Sequence, residues 1–171
     1  MKIILVGYMG VGKTSLAKKL SKKVGISCFD LDKIIEKAEN SSIKSLFQKK
    51  GEVYFRKQEH LFFKDFVENK DNYILSTGGG APCYASNHLF LQKDDVISIY
   101  LKASVGSLTE KLKDKRENRP LIKDLSLNEL QEYIAKHLFD RSYYYQQAKH
   151  IITVDGKTKK EICNEIMQLL A

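Results

Sequence analysis

Cysteine is too sparse in this chain to build anything with. Cys28, Cys83 and Cys163 are scattered over 171 residues. An odd number without short spacings excludes a disulfide framework and a thiolate metal site, and fits a reduced cytoplasmic protein. Long apolar runs are missing too. They fall far short of the roughly 20 residues that cross a membrane, so no span is expected. Internal repeats, low-complexity tracts and linkers are absent, and the length fits one domain with a sizeable core. Met1-Lys2-Ile3-Ile4 opens into what reads as a first strand, where an export signal would stand, so a cytoplasmic location is expected.

Arginine is the informative scarcity. Of 29 basic residues, four are arginine: Arg56, Arg116, Arg119 and Arg141. The net charge of +8 is therefore mostly lysine's, and it admits nucleic acid, an anionic membrane or small anionic ligands as partners. No nucleic-acid module or aromatic–basic platform accompanies it. Arginine's planar fork grips a carboxylate or phosphate through two parallel bonds, which lysine cannot do. In a lysine-covered chain the four arginines become candidate ligands for an anion.

What is present is organised around Gly7-Tyr8-Met9-Gly10-Val11-Gly12-Lys13-Thr14, a full match to G-x-x-x-x-G-K-[ST]. An apolar strand, Lys2 to Val6, precedes it. An amphipathic helix from Ser15 to Val24 follows. Glycines let backbone N–H groups turn inward around phosphate oxygens, and the helix N-terminus adds partial positive charge. Gly10, Val11, Gly12, Lys13, Thr14 and Ser15 are the candidate ATP ligands. Lys13 reaches the β- and γ-phosphates, and the Thr14 hydroxyl is a candidate Mg²⁺ ligand.

Four further strands alternate with helices: Ile26 to Phe29, Tyr73 to Ser76, Asp95 to Leu101 and Ile151 to Val154. The expected fold is α/β, a three-layer α/β/α sandwich on a five-stranded parallel sheet. Right-handed crossovers then bring every loop after a strand to one edge. Asp30 and Asp32 share a side of the segment leaving the second strand. One of the two is a candidate for Mg²⁺ or water positioning and the other for a substrate hydroxyl, or Asp30 is merely the N-cap of a helix from Lys33 to Ala38. A short helix from Ser42 to Gly51 and a longer one from Glu52 to Glu68 follow. In the latter, Phe55, Leu61, Phe62 and Phe66 are expected inward, with Arg56 and Glu59 one turn apart. Gly78-Gly79-Gly80 permits close approach of backbone to a ligand. Lys113 to Leu121 lacks a helical apolar period and reads as a mobile lid, with Arg119, and Arg116 beside it, facing the phosphates. A helix from Ser126 to about Gln147 places Leu130, Ile134, Leu138 and Phe139 inward and carries Arg141.

Taken in order, these motifs resemble those of the shikimate kinase family, within the nucleoside monophosphate kinase-like P-loop fold, over essentially the whole chain. Gly7 to Thr14 resembles its P-loop, Phe29-Asp30-Leu31-Asp32 its carboxylate pair, and Phe47, Gly51-Glu52 and Phe55-Arg56 with Glu59 its substrate helices. Gly78-Gly79-Gly80 resembles its glycine triplet, Arg119-Pro120-Leu121 its lid, and Arg141 with Tyr145 its final substrate arginine. The resemblance implies one kinase domain over residues 1–171, with substrate-binding helices at about 33–60 and a lid at about 112–124. It implies ATP and shikimate as substrates, phosphorylation at the 3-hydroxyl, and Mg²⁺ on Thr14 and, through water, Asp30. Shikimate would lie among Asp32, Phe47, Phe55, Arg56, Gly78, Gly79, Gly80 and Arg141. Lys13, Asp32 and Arg119 would be the catalytic residues. Small size and no obvious apolar patch favour a monomer, without nucleic acid or membrane. A gluconate kinase and a basic nucleic-acid-binding P-loop protein are the alternatives. Where the family has a proline two residues after its last substrate arginine, this chain has Tyr143. Asp155-Gly156-Lys157 is a candidate for the adenine edge.

Overall fold

The computed structural model describes Met1–Ala171 apart from the side chain of Asn118. Strands β1 (Lys2–Val6), β2 (Cys28–Asp30), β3 (Tyr73–Ser76), β4 (Val96–Lys102) and β5 (His150–Thr153) form one sheet in the order β2-β3-β1-β4-β5. Every pairing is parallel. A parallel sheet is covered on both faces, which is why β1 and β3 are apolar runs without alternation and are buried throughout. The helices are α1 (Lys13–Val24), α2 (Leu31–Glu39), α3 (Ile43–Asn69), α4 (Val105–Leu112), α5 (Leu127–Tyr145) and α6 (Lys159–Leu170). α1 packs on α6, α2 on α3, and α4 on α5. Among the described residues, no helix is long and apolar enough to cross a membrane.

The strand order reverses at β1, with β3 on one side and β4 on the other. The crevice beyond its C-terminal end is where such sheets bind ligands, and Gly7 to Gly12 opens into it. Register brings the polar residues to that edge: Asp30 pairs with Ser76, and Leu5 pairs with Ser76 from the other side.

The two helices foreseen between Ser42 and Glu68 are present and meet at a break at Gly51, where φ 84° and ψ 168° favour glycine. Four other expectations need correction. The buried stripe of the second of these helices is Phe55, Glu59, Phe63 and Val67, while Leu61 is exposed and Phe62 and Phe66 are half-buried. Phe139 on α5 points outward, 82% exposed, and the helix buries Leu130, Ile134 and Tyr145 instead. Lys113–Asn118 forms a 3₁₀ helix although it has no apolar period. Arg116 binds it internally, donating from Nε to the Lys113 carbonyl at 2.8 Å and from Nη1 to the Leu125 carbonyl, so Arg116 is spent on the loop's own backbone.

Candidate active site

At the P-loop, Gly10 and Gly12 take positive φ (83° and 99°), and Gly12 is the N-cap of α1. A side chain at Gly10 would also meet Leu112 at 2.8 Å. Lys13 folds back over the loop and donates to the carbonyls of Gly7 (2.6 Å) and Tyr8 (3.1 Å). Burial pulls its pKa down to about 8, against the pull of Asp32 and Asp30. Both hydrogen-bond partners are neutral carbonyls, and a charge-assisted bond to phosphate oxygen is stronger than either.

The Thr14 hydroxyl donates to Asp30 Oδ2 at 2.8 Å, and the Ser76 hydroxyl donates to the same oxygen at 3.4 Å. The other oxygen, Oδ1, accepts from the Lys33 backbone at 3.2 Å and caps α2. The metal-facing and capping readings of Asp30 thus each have their own oxygen. A hydroxyl and a carboxylate in contact are hard donors of the kind Mg²⁺ takes alongside phosphate and water. A cleft of about 770 Å³ opens beside Thr14, Asp30 and Ser76, between α1 and α2.

Across the crevice the glycine triplet explains itself sterically. None of the three has a left-handed φ; each lies under a charged side chain. A Cβ at Gly78 would sit 2.9 Å from Asp32 Oδ1. At Gly79 it would sit 3.2 Å from an Arg141 Nη, and at Gly80 2.6 Å from an Arg56 Nη. One carboxylate and two guanidiniums therefore converge on three residues without side chains.

Arg56 donates to buried Glu59 at 2.8 Å and lies 3.5 Å from Glu52. Its guanidinium sits 4.0 Å above the Tyr84 ring, 5.2 Å from Phe55 and 5.9 Å from Phe47. The contact with Glu52 is made by Nε, which is buried and forms no hydrogen bond of its own. The break at Gly51 lets Phe47 and Phe55 meet, ring centroids 4.7 Å apart, as one apolar wall. Burial pushes the Glu59 carboxyl up to about 7, against the opposing pull of Arg56. Burial, with Asp30 adding, pushes Asp32 up to about 6, against Lys13. Arg119 reaches the nucleotide side, with Nη1 donating to Met9 Sδ at 3.3 Å.

The structure thus brings Asp32, Arg56, Arg141 and the triplet together, and sets Lys13, Thr14, Asp30 and Arg119 at the P-loop. The turn after β5 is tied to the start of α4, where the Asp155 carboxylate accepts from the Ser104 N–H at 3.1 Å, and Lys157 pairs with Glu165. Tyr143 lets α5 continue to Tyr145, whose hydroxyl donates to the Gly79 carbonyl at 2.5 Å. Ser76 and Tyr84 were not foreseen. Ser76 was findable as the polar end of an otherwise apolar strand; nothing in its sequence neighbourhood marks Tyr84.

A P-loop at the switch point, facing a polar crevice lined by paired arginines, defines a phosphoryl-transfer enzyme acting on a small anionic acceptor. The comparisons narrow this class. The chain belongs to the shikimate kinase family, whose model matches residues 9–171. It is 53% identical to a shikimate kinase of Flavobacterium psychrophilum over 99% of this chain and 98% of that one. The crystal structure of shikimate kinase from Bacteroides thetaiotaomicron superposes with a TM-score of 0.91, at 30% identity, over 99% of this chain and 98% of that chain. Shikimate kinase from Acinetobacter baumannii in complex with shikimate gives 0.86, also at 30% identity, over 99% and 92%. The chain is therefore an ATP-dependent kinase.

Proposed function

We propose that this chain transfers the γ-phosphoryl group of ATP to the 3-hydroxyl of shikimate, giving shikimate 3-phosphate and ADP. The observation that carries the reading is the convergence of Asp32, Arg141 and Arg56 on Gly78, Gly79 and Gly80. Two planar forks suit one carboxylate, and a carboxylate suits the hydroxyl that must attack. Phe47 and Phe55 supply the apolar wall for the ring.

Residues Gly10 to Ser15 hold the phosphates. Lys13 turns from the Gly7 and Tyr8 carbonyls to the transferring group, and Arg119 adds a second cation from the lid. Phosphoryl transfer passes through a loose transition state, so positioning and charge neutralisation carry most of the rate. Asp32, held near 6, is ionised at neutral pH, orients the hydroxyl and takes its proton as the new P–O bond forms. Thr14 and, through water, Asp30 would hold Mg²⁺, whose charge supports the phosphates when it is bound.

Residues 33–60 serve as the acid-binding segment, and 112–124 as a lid whose closure excludes water. All these groups come from one chain, which supports a monomer, and three free thiols fit a reducing cytoplasm. The test is product identification. Purified protein with MgATP should release ADP with shikimate, but not with gluconate or a nucleoside monophosphate, and mass spectrometry should find shikimate 3-phosphate. Folded protein that binds ATP and leaves shikimate unmodified would overturn the reading.

A further inference from the structure

α5 presents three residues at one-turn spacing toward the crevice: His137, Arg141 and Tyr145. Tyr145 is anchored on the Gly79 carbonyl. His137 is anchored on the P-loop: its Nδ1 and the Tyr8 hydroxyl share a hydrogen bond of 2.9 Å, and the two rings meet edge-on at 5.4 Å. Tyr8 is buried, and its ring lies beneath the Arg141 guanidinium, 6.0 Å away. Tyr133 flanks the imidazole on its own helix, at 5.2 Å. Among the described residues no ion pair holds Arg141 as Glu59 holds Arg56.

We infer that Tyr8 and His137 are positioning residues for Arg141, their hydrogen bond fixing the arginine-bearing turn of α5 to the nucleotide loop. The inference rests on Arg141 being a ligand of the acid, as proposed above. An uncharged pair suits the task, because a second cation on the same face would compete with Arg141 for the carboxylate. Burial and the nearby arginine pull His137 down to about 4, so the ring is neutral where the enzyme works. The pair also joins the two halves of the site. The carbonyl that accepts from Lys13 at 3.1 Å belongs to Tyr8 itself. When Lys13 turns to phosphate, the residue it releases is the one whose side chain holds α5.

The experiment is a steady-state comparison of KM for shikimate and for ATP in four variants. Tyr8→Phe removes the hydroxyl and keeps the ring. His137→Leu removes the ring nitrogens. His137→Asn keeps a polar group near the place of Nδ1. The fourth is the double variant Tyr8→Phe/His137→Leu. Tyr8→Phe and His137→Leu should each raise KM for shikimate about fivefold to tenfold, as loss of one partly buried hydrogen bond does, with KM for ATP within about twofold. The double variant should be no worse than either single one, and His137→Asn should return most of the loss. An unchanged KM for shikimate in both single variants would overturn the inference. So would equal rises in both KM values, additive losses, or His137→Asn as poor as His137→Leu. Tyr8→Phe carries the test if His137→Leu does not fold. Arg141→Lys in the same assay separates the two possible failures. If it leaves KM for shikimate unchanged, the assignment of Arg141 falls and the inference falls with it. If it raises KM and Tyr8→Phe does not, the inference alone falls.

Discussion

At the nucleotide end of the crevice the proposed ligands are consecutive residues, Gly10 to Ser15, and most of what they offer is backbone. At the acid end they are side chains from α2, α3 and α5 that meet over three glycines contributed by the loop after β3. A backbone-built site depends on loop conformation and one lysine. A site assembled from side chains depends on each residue's reach and on the empty space beneath it. The two ends should therefore fail differently under substitution.

Lys13→Met should break the nucleotide end most severely, lowering kcat by at least about a thousandfold, because the cation on the transferring group is lost. The thermal midpoint should hold or rise, since burial already disfavours the Lys13 charge. Turnover rates with circular dichroism check both parts. Gly80→Ala should break the acid end alone. The backbone there is ordinary (φ −91°, ψ −11°), so the effect is steric, a methyl group 2.6 Å from Arg56. KM for shikimate should rise about a hundredfold, the scale of a misplaced ligand, with KM for ATP nearly unchanged. Equal effects on both substrates would dissolve the contrast between the ends.

The acid end also carries a pH signature. With Asp32 held near 6, kcat/KM should fall about tenfold per unit below pH 6. Glu59 gives the smallest effect. Its raised pKa means that the folded state holds more protons than the unfolded chain between about 4 and 7. Its contribution to stability is present below that window and lost as pH rises through it. Glu59→Gln should flatten this slope in thermal midpoints recorded from pH 4.5 to 7.5, and raise KM for shikimate a few-fold by loosening Arg56.

The same contrast governed what could be read from the sequence. The P-loop was legible because its ligands are contiguous and its glycines have a conformational reason to be there. β1 and β3 matched residue by residue, because apolar strands between turns carry little else. On α3 and α5 the hydrophobic pattern misleads where charged and polar side chains interrupt it. The buried stripe of α3 runs Phe55, Glu59, Phe63, Val67, and a carboxylate in the stripe hides its period. The inward face of α5 holds His137 and Arg141 between Ile134 and Tyr145, so Phe139 looked like the better core residue and proved exposed. Scarcity of arginine singled out Arg56 and Arg141, but not Tyr84 or His137, whose roles exist only through contacts between distant segments. The 3₁₀ helix of Lys113–Asn118 has no sequence signal because Arg116 holds it through backbone carbonyls and not through an apolar face.

The central claim is that Arg56 and Arg141 together hold a carboxylate while Asp32 holds the reacting hydroxyl. The most direct test compares shikimate with its methyl ester as acceptor, since the ester keeps the ring and every hydroxyl and loses the charge. The account predicts that kcat/KM for the ester falls on the order of a thousandfold or more, because two guanidiniums are left facing a group that cannot pair with them. An ester phosphorylated as efficiently as the acid would contradict it, and would mean that the two arginines serve something other than the acceptor's carboxylate.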